Sequence, residues 1–77
     1  MTNNTLKRKL SKAYDENKLT YYFTTSECEA LSWEMYHWQH NHSYRNIIQY
    51  TSEQYSRAYK KRIIDMCLET GHYTINK

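Results

Sequence analysis

The sequence predicts a mainly α fold: a compact bundle of three to four helices, with a small two-stranded antiparallel pair formed by 19–24 and 72–76. Three observations predict it. The stretch 51–71 carries the end signals of one long helix, with Thr51 or Ser52 placed to accept hydrogen bonds from the first free amides and Gly71 placed as a left-handed C′ residue. Apolar residues recur at helical spacing in two further stretches, 5–17 and 26–40. The segments 19–24 and 72–76 alternate with period two.

Taken in order, 5–17 places Leu6, Leu10, Ala13 and Tyr14 on one face. Its charges run against the helix dipole. Lys7, Arg8 and Lys9 crowd the first turns, and Asp15 and Glu16 close the last. An arrangement that opposes helix stability fits a basic cluster held for an anionic partner. Asn17 and Lys18 then supply a C-cap and turn. Leu19, Tyr21 and Phe23 alternate with Thr20, Tyr22 and Thr24, a β pattern whose natural partner is the matching alternation at 72–76.

A second start signal falls at 25–29, where Ser26 and Glu29 have capping-box spacing. The helix is expected to run to about His40. Cys28, Leu31, Met35 and Trp38 form one stripe, and Ala30, Trp33, His37 and His40 form a second on nearly the opposite side. A helix apolar on two sides is either central or carries an interface, and Ala30, Trp33 and His37 are the residues expected to dimerise or dock. After a break at 40–43, Ser43 is expected to cap a short third helix over 43–50. The long helix follows. Tyr55, Tyr59, Ile63 and Met66 line its buried side, and Arg57, Lys60 and Lys61 fall opposite, so its first half is two-faced and its second half apolar nearly all round.

The 77 residues make one small domain. Valine is absent and Phe23 is the one phenylalanine, so the core depends on rings: aromatic residues are 16% of the chain, with nine Tyr and two Trp. That is more ring surface than so small a core hides, and Tyr, Trp and Arg dominate the energetic centres of interfaces. The composition therefore favours a binding surface. No stretch is apolar enough to span a bilayer and the first residues lack a signal-peptide core, so the expected location is cytoplasmic. Cys28 and Cys67 are expected as buried thiols. The residue usage is what AT-rich coding gives, pointing to a low-GC bacterium or a phage or plasmid within one.

No catalytic, metal or cofactor signature is present. His37, His40, His42, His72, Cys28 and Cys67 lack metal-ligand spacing, and there is no glycine-rich phosphate loop. The expectation is a non-enzymatic interaction protein of phage or mobile-element type, an inhibitor or regulator that binds and modulates a host protein or nucleoprotein with an acidic surface. Arg57, Lys60, Lys61, Lys7, Arg8, Lys9, Gln54, Trp33 and His37 are the partner-binding candidates, with homodimerisation included. The alternative is a small helix-turn-helix regulator, with 43–50 as first helix and Gln54, Arg57 and Lys61 reading DNA.

Overall fold

The computed structural model describes residues 3–44 and 47–76. It is mainly helical, with a small antiparallel sheet, as the sequence predicts. Its elements are α1 (Asn3–Asp15), β1 (Leu19–Tyr21), α2 (Thr25–Asn41), β2 (Ser43–Tyr44), β3 (Ile47–Ile48), α3 (Ser52–Thr70) and β4 (Tyr73–Ile75).

Helix α3 is the centre of the packing, with α1 and α2 laid antiparallel along its two flanks. Both its ends are built as the sequence implies. Thr51 accepts from the Gln54 amide, Gln54 Oε1 accepts from the Thr51 amide at 2.8 Å, and Gly71 ends the helix at φ +72°. Ile63, Ile64, Met66 and Cys67 are buried, and Leu10 and Ala13 from α1 and Leu31 and Met35 from α2 complete the core. The rings of Tyr14, Phe23, Trp38, Tyr55, Tyr59 and Tyr73 pack around this small aliphatic centre. They supply the apolar area that the missing valines do not.

Helix α1 ends in a Schellman pattern. Lys18 N–H donates to Ala13 C=O at 2.7 Å and Asn17 N–H to Tyr14 C=O at 3.2 Å, with Asn17 itself at φ +58°. The turn sends the chain into β1, which pairs with β4 in the register Leu19↔Ile75, Thr20↔Thr74 and Tyr21↔Tyr73. Leu19, Phe23 and Tyr73 anchor this ribbon on the core.

Three expectations need correction. The segment 43–50 contains no helix among its described residues: β2 and β3 pair antiparallel, Ser43 opposite Ile48 and Tyr44 opposite Ile47. Arg45 and Asn46 of that segment lie outside the described residues. The β-branched pair Ile47–Ile48 favours extended backbone. The end of α2 is also closed off: Ser43 Oγ donates to Gln39 C=O at 2.9 Å, and the His42 ring bonds Trp38 C=O at 2.7 Å. Tyr50 then turns back onto Trp38, ring centroids 4.9 Å apart.

The cap of α2 falls two residues earlier than Ser26, at Thr24, with Glu27 closing the box. Cys28 is exposed rather than buried. It lies in the first turn of α2, beside the end of α3, where the buried run stops at Cys67 and the chain leaves through Gly71. It precedes Leu31, the first buried position of α2, and lines an open hollow with Ser32 and Trp33 instead of the core. Cys67 is fully buried, and burial pushes its thiol up to about 11.

Candidate functional site: a basic groove and an aromatic helix face

The sequence-derived candidates divide into two surfaces. The first is an open groove between α1 and α3, about 350 Å³, lined by Lys7, Ser11, Arg57, Lys60, Lys61, Ile64 and Asp65. The antiparallel packing of α1 on α3 puts the first turns of α1 opposite the middle of α3, which brings Lys7 to the cations of the long helix. Ile64 supplies an apolar floor along which lysine stems can lie. Arg8 and Lys9 are exposed on α1 but do not line this groove. Gln54 is also outside it, and its side-chain oxygen is committed to the cap of α3.

These cations are not all free. Lys60 donates to both carboxylate oxygens of Asp15, at 2.9 and 3.0 Å, and its ammonium lies 5.9 Å from the centroid of the Tyr14 ring. Its side chain is only 26% exposed, so the sequence expectation of Lys60 on the outward face, opposite the buried tyrosine stripe, is corrected: it lies against α1. Lys7 stands 3.9 Å from Asp65, and Arg57 pairs with Glu53 one turn earlier. Lys61 has no ion-pair partner among the described residues.

The contacts also give a physical reason for the reversed charges of α1. Lys7 at the basic start and Asp15 at the acidic end oppose the dipole of α1, yet they face Asp65 and Lys60 of the antiparallel α3. Such exposed pairs contribute about 0–1 kcal/mol each. They position the side chains at the rim, and exchanging an internal carboxylate for one on a partner costs little.

The second surface is the outer face of α2. Trp33 is 61% exposed and Tyr36 49%. Trp33 stacks on His37 at 5.3 Å and meets Tyr36 edge-on at 5.5 Å, and Tyr36 lies 4.1 Å from the His40 ring. Ala30 is exposed on the flank of the same side. Four rings thus stand on the solvent side of a helix whose opposite side, Leu31 and Met35, fills the core. Beside them is an open, mostly apolar hollow of about 530 Å³, lined by Thr25, Cys28, Glu29, Ser32, Trp33 and Tyr36.

One contact had no sequence signal. The ring of His72 donates from Nδ1 to Glu27 Oε1 at 2.8 Å, tying the start of β4 to the start of α2. A carboxylate only accepts, so Nδ1 carries the proton. Glu27 also takes the Thr24 amide in the capping box. That amide, then the His72 ring, hold its carboxyl below the usual range. The two residues are 45 positions apart, and no local pattern links them.

Among the described residues no three His, Cys, Asp or Glu side chains gather as a metal site, and no helix is long and apolar enough to cross a membrane. No protein-family model matches the chain, and comparisons with curated proteins and with solved structures likewise give no match.

Proposed function

We propose that this chain is a non-enzymatic, cytoplasmic interaction protein of phage or mobile-element type that docks on an acidic surface of a host protein or nucleoprotein and inhibits it by occupying that surface. The observation that carries this reading is the groove itself: Lys7 from one helix and Arg57, Lys60 and Lys61 from another converge over an apolar floor. A concave strip with several cations around an apolar base suits a carboxylate-bearing or phosphate-bearing ridge. It raises the local potential above what a net charge of +3 suggests. Self-association through the outer face of α2, where Ala30, Trp33 and His37 lie, is the second part of the same reading.

The helix-turn-helix alternative finds less support. Its first helix is replaced by the β2–β3 ribbon, and the Gln54 oxygen serves a cap. The test is capture from a lysate of the host by the wild type and by a Lys7→Gln/Arg57→Gln/Lys61→Gln variant, which leaves the Lys60–Asp15 tie in place. The expected result is a defined captured species that the variant loses. Equal capture by both removes the groove from the proposal. Capture of duplex DNA instead of protein, with steep loss in salt, favours the regulator reading.

A further inference from the structure

The outer face of α2 is complementary to itself. Glu29, Trp33, Tyr36 and His40 follow 4-3-4 spacing, the seam of a helix that packs on another helix. The order of types along this seam is acid, ring, ring, base. Turning a second copy end for end about a two-fold axis between Trp33 and Tyr36 sets each Trp33 against the other copy's Tyr36. The same operation sets each Glu29 against the other copy's His40. Both matches need one register, since 29 and 40 are centred on the same point as 33 and 36. Isologous contacts require this property, and most helix faces lack it.

The surroundings agree with that placement. The 530 Å³ hollow beside Trp33 and Tyr36 includes Glu29 and Ser32, on the half of the face to which the two-fold brings the second copy's Tyr36 and His40. The Glu29 side chain, like that of Glu69, makes no ion pair or hydrogen bond among the described residues, whereas Asp15, Glu27, Glu34, Glu53 and Asp65 are engaged. The His40 ring touches Tyr36. The acid and base at the two ends of the seam are therefore available to each other across the axis.

We propose that two copies of this chain pair through α2 in an antiparallel, two-fold arrangement, with Trp33 on Tyr36 at the centre and Glu29 to His40 at both ends. This deepens the self-association part of the reading above and does not depend on the basic groove. The face of a 17-residue helix is about 25 Å long. With a contact strip about 10 Å wide, that face offers on the order of 250 Å² per partner, well under the roughly 800 Å² of a standard interface, so the pairing is expected to be weak and reversible.

Sedimentation velocity over a rising concentration series tests it. The wild type is expected to shift from monomer to dimer. Trp33→Ala, an exposed position, is expected to weaken dimerisation by about thirtyfold or more, as loss of a central aromatic anchor does. Glu29→Lys and His40→Glu are each expected to weaken it about tenfold, and the double variant to recover to within about threefold of the wild type. A monomer at every concentration overturns self-association. A dimer that forms while the double variant is no better than either single one overturns the two-fold register and leaves self-association standing.

Discussion

Replacing Lys60 by Glu probes whether the groove is held in shape by a tie between helices. Lys60 reaches both oxygens of Asp15 at 2.9 and 3.0 Å from the opposite helix. Losing that pair removes up to about 1 kcal/mol. A carboxylate in its place stands about 4 Å from Asp15, and like charges at that distance repel by about 1 kcal/mol even with water-like screening. The total, about 2 kcal/mol, lowers the Tm of a domain this size by roughly 10 °C. Lys61→Glu is the control. It is exposed and has no partner to lose, and its new neighbour Asp65 at i+4 costs only a few tenths of a kcal/mol. Thermal unfolding followed by far-UV circular dichroism, at low ionic strength, separates the two. Asp15→Lys combined with Lys60→Glu is expected to restore most of the loss. Equal Tm shifts for Lys60→Glu and Lys61→Glu would show that the bidentate pair contributes nothing to α1–α3 packing.

Three further outcomes are expected. Iodoacetamide labels Cys28 in the native protein and reaches Cys67 only after unfolding, because Cys67 is fully buried with its thiol raised to about 11; mass spectrometry of labelled peptides reads this directly. The Glu27 carboxyl is held low in the fold, so its contribution to stability is present above its unfolded value near 4.5 and is lost as pH falls through the folded value; Glu27→Gln is expected to flatten the acid limb of a urea-midpoint profile, and an unchanged limb contradicts the cap and His72 contacts. Gly71→Ala is expected to cost about 1 kcal/mol although nothing crowds the site, since φ there is +72°, and chemical denaturation measures it.

What the sequence carries on its own follows from how local each signal is. The ends of α3 are specified by Thr51, Gln54 and Gly71 within their own turns, and the structure builds both as read. The face of α1 and the pairing of β1 with β4 also follow, because period alone decides them. The segment 43–50 does not: Ser43, Ile47 and Ile48 suit a capped helix or a ribbon, and the contacts of Trp38 with His42 and Tyr50 at its two ends have no local pattern in the sequence. Cys28 misleads because it stands at the edge of the inward stripe, before the first buried position Leu31, and lines the hollow it shares with Ser32 and Trp33. The groove is half visible in the same way. Arg57 and Lys61 are readable as one outward stripe, but Lys7 joins them only through antiparallel packing, and Lys60 is turned toward Asp15 by a residue 45 positions away. The contact of Glu27 with His72 has no local trace at all.

The central claim is that Lys7, Arg57 and Lys61 form one electrostatic docking site. It is tested most directly by measuring the affinity of the captured macromolecule across a salt series, with the wild type and with the Lys7→Gln/Arg57→Gln/Lys61→Gln variant. Wild-type binding is expected to weaken steeply with salt, and the variant to bind at least about tenfold more weakly at low salt with a much shallower dependence. Two superimposable salt curves would contradict it, because the groove's cations would then take no part in recognition.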